Sequence, residues 1–281
     1  MKGKRMQLMF LGTAAANAYP EAFRRCVNCE QARALSGPSL RKRSAALVND
    51  DLLIDLGPDI HTAAALHGRP LTNIRFCLQT HAHADHIDPS HLLLRSPAYG
   101  VVGAPWLQLY ASPATGGRLA EALARDLAPG SLFDPAAQEQ LNLDVHPVAP
   151  LAPFAVGPYI VLAIPANHDP SVEPLLYVIQ AGGRCIFYGT DTPALPESVW
   201  QAFHAHRLRF DVVVLDHPGD DHLGARDVAA YAARLRTEGL LAEGGRVLAT
   251  HIAHDANPPH PELAAYAAAH VYEIAYNGLS V

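Results

Sequence analysis

In the first half of the chain, apolar positions fall mostly in short runs of strand length, separated by polar and turn-forming residues. MQLMFLG, at positions 6–12, predicts a first core strand, followed by a loop rich in Ala, Asn and Pro. SAALVNDDLLIDLG predicts two strands around a turn at Asn49, Asp50 and Asp51. PDIHTAAALHG then has the pattern of a short helix, with Pro58 near its start and Gly68 after its end. NIRFCLQT predicts a buried strand. Positions 104–128 space Leu107, Leu109, Leu119, Leu123 and Leu127 at roughly helical intervals, which predicts a helix. EQLNLDVHPVAP alternates like a strand, and GPYIVLAIPA is another. EPLLYVIQAGGRCIFYGT predicts a hairpin turning at Ala181, Gly182 and Gly183.

The last third alternates instead. LPESVWQAFHAHRL, ARDVAAYAARLRTEG and PELAAYAAAH predict helices, with strands at DVVVLDHP, RVLATHI and the closing VYEIAYNGLSV. No repeat, low-complexity tract or flexible linker divides the chain, so positions 1–281 are expected to form one domain. The order of elements suits an α+β fold with two sheets flanked by helices better than one doubly wound sheet.

Composition narrows the function. No run of about 18 apolar residues occurs, so a membrane span is not expected. A net charge of -6 argues against a protein that coats nucleic acid, and no stable nucleic-acid partner is expected. Lys2, Lys4 and Arg5 ahead of an apolar run resemble a secretory leader, but the run is short and holds Gln7, which favours the strand. Cysteines at 26, 29, 77 and 185 are too sparse for a secreted disulfide framework, and a cytoplasmic address fits best. Cys77 and Cys185 sit inside apolar runs as small buried hydrophobes, whereas Cys26 and Cys29 form a CxxC in a polar segment.

The chemistry concentrates at the ends of strands. THAHADH follows NIRFCLQ and crowds His81, His83, Asp85 and His86 into six positions. On an extended segment His81 and His83 point the same way and can share one metal. A turn after them would aim Asp85 and His86 at a neighbouring position. His168, Asp191 and His251 each follow a further apolar strand, so His168 and His251 can complete one set each while the Asp191 carboxylate bridges both. That makes a seven-ligand site for two divalent ions, with zinc, manganese and iron all compatible. Two such ions supply a nucleophile at neutral pH and clamp a reacting oxyanion. Taken alone, a His or Asp beyond a strand is usually a cap or turn residue. Asp88 has the position of a helix cap, and Asp55 is either a turn residue or one that orients a ligand histidine. His61, His67, His91, His204, His206 and His270 lie on helix-like segments and are expected at surfaces or helix ends. Arg41, Lys42 and Arg43, with Arg24 and Arg25 upstream, form either a solvated face or a phosphate-attracting rim.

THAHADH resembles the HxHxDH signature of the metallo-β-lactamase superfamily, and the likeness runs through LGT, LLIDLGPD, YGTD, THIAHDANPPH and AYNGL. The resemblance implies a four-layer αβ/βα sandwich and a metal-dependent hydrolase. It is strongest to the PhnP-like phosphodiesterase branch, which implies a small phosphodiester, linear or cyclic, as substrate. Lactones or other carboxylic esters are the alternative on the same scaffold, and a PqqB-like binding or carrier protein is the non-enzymatic one. In that branch cysteines of the early loop and the second histidine of HxxH hold a structural zinc, which points to Cys26, Cys29 and His254. Arg24 stands where that pattern has its first cysteine, leaving three ligands, with His260 a candidate fourth. The resemblance also implies a catalytic histidine in HPGDDHLGARD, His222 by its place before a helix, with His217 as fallback, alongside Asp85 in the metal set. Dimers are common in the family, so the resemblance allows a homodimer, but no residue of the sequence marks an interface.

Overall fold

The structure, a computed structural model, describes residues 5–219 and 222–281. Lys2 and Lys4 of the basic start, and Asp220 and Asp221 of HPGDDHLGARD, lie outside the described residues. The first half contains β1 (Leu8–Gly12), α1 (Val27–Leu35), β2 (Ala45–Val48), β3 (Leu52–Ile54), α2 (Ile60–Leu66), β4 (Phe76–Leu78), α3 (Ser90–Leu93), β5 (Leu107–Ala111), α4 (Pro113–Leu123), α5 (Pro135–Leu141) and β6 (Leu143–Pro147). Its strands pair in sequence order, antiparallel from β1 to β3 and parallel from β3 to β6. The second half contains β7 (Pro153–Val156), β8 (Tyr159–Pro165), β9 (Leu175–Ala181), β10 (Arg184–Gly189), α6 (Glu197–Ala205), β11 (Phe210–Asp216), α7 (Ala225–Thr237), β12 (Leu241–Thr250), α8 (His260–Ala269) and β13 (Glu273–Ile274). These strands form the second sheet, antiparallel through β10 and parallel beyond it.

Strand alternation divides the core into three. Leu8 and Phe10 of β1 and Phe76 and Leu78 of β4 meet Ile186 and Tyr188 of β10 and Val212 and Val214 of β11 between the sheets. Met9, Leu11 and Cys77 face the other way, onto Ile60 of α2 and Leu119 of α4. Phe187 and Val213 likewise face out onto Trp200 and Phe203 of α6 and Val228 of α7. The inner strands of both sheets are therefore apolar on both faces, and helices cover the outside. This is the four-layer sandwich.

Four local expectations change. Leu107 and Leu109 lie on β5 rather than a helix, buried two residues apart on one face, and the helix begins at Pro113 after the Ser112 cap. Leu107 and Leu109 carry the two-residue period of a strand and Leu119 and Leu123 the period of a helix, so pooling them into one element misleads. Glu139 to Leu141 end α5 rather than open a strand; Asn142, left-handed at φ 49°, is the break. The closing segment gives only Glu273–Ile274 to the second sheet, and its tail then hydrogen-bonds to the free edge of β1, with Leu8 N donating to Val281 O at 2.9 Å. The early polar segment contains α1, so Cys26 and Cys29 sit at a helix start.

Two side-chain expectations change as well. Arg41 is no surface cation: it is 2% exposed and donates to Thr13 Oγ1 and the Ala275 carbonyl. Arg43 is gripped by Asp59 through two hydrogen bonds from its guanidinium, so neither arginine is a free rim for phosphate. His91 is buried rather than exposed, and donates from Nε2 to the Gly57 carbonyl at 3.2 Å. Cys77 and Cys185 are buried, and burial pushes both thiols up in pKa, Cys185 to about 12. Among the described residues no helix is long and apolar enough to cross a membrane.

Candidate metal centre

Five strands from both sheets end at one edge, and each delivers a side chain there. Asp55 follows β3, the segment from His81 to His86 follows β4, His168 follows β8, Asp191 follows β10 and His251 follows β12. Asp55, Asp191 and His251 all adopt left-handed backbone, at φ 65°, 56° and 59°. L-residues disfavour that region, and its use at three converging positions marks sharp turns that throw side chains across the sheet edge. After β4 the chain turns back on itself, His86 N and Ile87 N both donating to the His83 carbonyl. Gln79 laces the turn, donating from Nε2 to the carbonyls of His81 and His86.

Two donor groups result, and they share one carboxylate. His81, His83, His168 and Asp191 form the first; Asp85, His86, His251 and Asp191 form the second. In the first, His83 Nδ1 is 3.1 Å from His168 Nε2, and Asp191 Oδ2 is 3.0 Å from His81 Nε2. In the second, Nε2 of His86 is 3.3 Å from Nε2 of His251 and 3.2 Å from Asp85 Oδ2.

The outer nitrogens are held by oxygens. His86 Nδ1 lies 2.7 Å from Asp55 Oδ2, His81 Nδ1 is 3.1 Å from Thr80 Oγ1, and His83 Nε2 is 3.3 Å from Asp169 Oδ2. Asp55 is thus the orienting residue rather than only a turn former, and it also accepts from Thr80 N. A carboxylate on the outer nitrogen fixes the proton there and leaves the inner lone pair free, which is the arrangement metal-binding imidazoles require. The buried His81 Nε2 has no hydrogen-bond partner despite facing Asp191. Buried imidazole nitrogens aimed at each other and at carboxylates suit a shared cation, and either group could hold one.

The electrostatics agree with that donor set. Burial pushes the Asp85 carboxyl up, but charges on His86 and His251 outweigh it and hold the group well below the usual range. Asp191 behaves the same way, burial opposed chiefly by His251. Burial, then the charge of His86, takes His81 down to about 4, leaving it neutral.

Asp216, at the end of β11, completes the site and was not anticipated from the sequence. It is fully buried, with Oδ2 2.7 Å from His222 Nδ1 and Oδ1 3.0 Å from His251 Nδ1, the latter at an angle too oblique for a hydrogen bond. Its hydrogen bond raises the pKa of His222. Asp169 is the second such residue. The signal existed for Asp216: VVVLD repeats the apolar-run-then-acid pattern of the segment ending at Asp191. His222 stands 3.6 Å from Asp191 Oδ1 and lines a cavity of about 360 Å³ with His83, Asp85, His168 and His251. His217 is not in that wall; it is buried against Tyr272, its Nε2 3.3 Å from the phenol oxygen.

Cys26, Cys29 and His254 gather into a third group, with Cys26 Sγ 3.7 Å from His254 Nδ1. His260 does not join them. Its Nδ1 accepts from Arg41 Nη2 at 3.0 Å, the guanidinium having claimed the lone pair. Arg24 pairs with Asp255 at 3.7 Å instead of supplying a ligand.

Residues 51–252 match the model of a family described as the β-lactamase superfamily domain. The chain belongs to that superfamily. Its metallo-β-lactamase fold is shared with a diphosphatase of the PhnP family, at 23% identity and a TM-score of 0.75, over 99% of this chain and 97% of that one. Zinc-bound PqqB from Methylobacterium extorquens is similar at 20% identity and a TM-score of 0.73, over 98% of this chain and 99% of that one. Unliganded yeast PDE1 is similar at 14% identity and a TM-score of 0.64, over 98% of each chain. At these identities the likeness is one of fold. A comparison with curated protein sequences finds no match. Superfamily membership makes the chain one of a group of metal-dependent hydrolases, and the His/Asp groups are where this chain could hold metal.

Proposed function

We propose that the chain is a single-domain phosphodiesterase that binds two divalent ions and hydrolyses a small phosphodiester, linear or cyclic. The observation that carries this reading is Asp191, whose carboxylate belongs to both donor groups while His222 stands beside it. His81, His83, His168 and Asp191 would hold one ion, and Asp85, His86, His251 and Asp191 the other. Bound zinc or manganese, or iron, supplies Lewis acidity and a water acidic enough to react at neutral pH. The chain supplies the rest. Asp55, Thr80 and Asp169 fix the imidazoles in one tautomer. Asp216 keeps His222 protonated at Nδ1 and favours its charged form, which equips it to give a proton to a departing alkoxide. The cavity of about 360 Å³ has room for a small diester.

The cysteine group would hold a third zinc, in a structural role. Three donors are one short of the usual closed set, so this ion is the first a chelator removes. The test combines elemental analysis of the purified protein with turnover of bis(p-nitrophenyl) phosphate and a panel of lactones. Two or three metals per chain with diester turnover, lost in Asp191→Ala, are expected. Turnover of lactones alone would move the reading to a carboxylic-ester hydrolase, and metal binding without any turnover to a PqqB-like binding protein.

A further inference from the structure

A second cavity, of about 350 Å³, lies on the outer face of the first sheet and shares no residue with the metal centre. Its wall is aliphatic, built from Leu53, Leu56, Ile60 and Leu107. Four polar residues interrupt it, His61, Thr72, His91 and Arg95. Two of them have buried nitrogens with no hydrogen-bond partner, Nδ1 of His91 and Nε of Arg95. His91 is 7% exposed, and since its Nε2 donates to the Gly57 carbonyl, Nδ1 is left as a bare acceptor. Arg95 donates from Nη2 to the Pro105 carbonyl, and among the described residues no carboxylate forms an ion pair with it. A partly buried guanidinium without a counter-charge is costly to maintain, and burial lowers its pKa.

We infer that this cavity is a binding site for a small monocarboxylate with an apolar body. The aliphatic wall would take the body, and Arg95 would take the carboxylate as its missing counter-ion. The cavity also backs onto the metal centre. Leu56 lines it, and the neighbouring Asp55 holds His86. Gly57 receives His91 on one side, and a Cβ placed on it would meet the Asp85 carbonyl at 2.8 Å. An occupant would therefore press on the segment that orients a proposed metal ligand.

The probe is phenylacetate, titrated calorimetrically into the metal-loaded chain, with phenylacetamide as the uncharged comparison. Saturable binding at one site per chain is expected for the acid, weakened roughly tenfold or more by Arg95→Met and for the amide. Ala104→Phe, which fills the cavity from its rim, should weaken binding without touching the cation, and guards against misfolding of the arginine variant. Binding should persist in Asp191→Ala. No saturable binding would overturn the inference. So would equal binding of acid and amide, or loss in Asp191→Ala with none in Arg95→Met, which would place the anion at the metal centre.

Discussion

One carboxylate, Asp216, faces two imidazoles at once, and the consequences of that belong to the residue scale. An asparagine in its place keeps an acceptor for His222 but lacks the negative charge that faces both imidazoles. Asp216→Asn should lower turnover about 10–100-fold, the usual cost of losing an outer carboxylate, and lower metal content as well. His222→Asn should lower turnover by about 10²–10⁴-fold and leave metal content unchanged. Elemental analysis beside steady-state kinetics separates the two, and full activity in Asp216→Asn would end the positioning role. Single residues were legible here only when they came in company. His81, His83, Asp85 and His86 stand out because four potential ligands in six positions have no packing explanation. Asp169 gives no such signal and Asp216 only the apolar run before it, because a lone acid after a strand is ordinary turn chemistry, and only the folded chain shows which imidazole it meets.

At the scale of elements, the docking of α8 depends on a histidine. His260 opens that helix, and its Nδ1 accepts from the buried Arg41 that precedes β2, while Tyr276 packs against its ring. Burial and then the Arg41 charge take its pKa down to about 4, and Arg41 itself, lowered by burial to about 10, stays charged. The folded pKa lies below the unfolded value near 6.5, so the unfolded chain binds more protons between those limits. Stability contributed by this contact is complete above pH 6.5 and is lost as pH falls toward 4. His260→Gln keeps an acceptor for Arg41 and cannot titrate. Its melting temperature should fall less steeply than the native protein's across that window, with a difference of about 1–2 kcal/mol after discounting for solvent screening. Parallel curves would remove His260 from the acid response. Elements with strong local signals were legible: the Gly182–Gly183 hairpin and the strand-helix alternation of the last third both occur. The failures share a cause. β5 followed by α4, and α5 followed by β6, join a helix and a strand at a single cap, where a sliding period averages over both.

For the whole molecule, the decisive fact is where the proposed ligands come from. Asp85 and His86 belong to the first sheet, and His168, Asp191 and His251 to the second. A bound ion would therefore tie the two sheets together at one edge, across the apolar core they share. Without it, buried carboxylates and imidazoles meet with only protons to offset them. Metal that binds the folded chain and not the unfolded one stabilises by mass action, about 2.7 kcal/mol at a hundredfold excess over Kd. For a chain of 281 residues that corresponds to a rise in melting temperature of about 5 °C. Chelation followed by titration with zinc or manganese should recover that rise. Hydrogen exchange should slow at the ends of β4, β10 and β12 together, since one ion holds strands of both sheets. Protection confined to one sheet would mean that no ion draws its ligands from both, and an unchanged melting temperature would mean that no ion binds there.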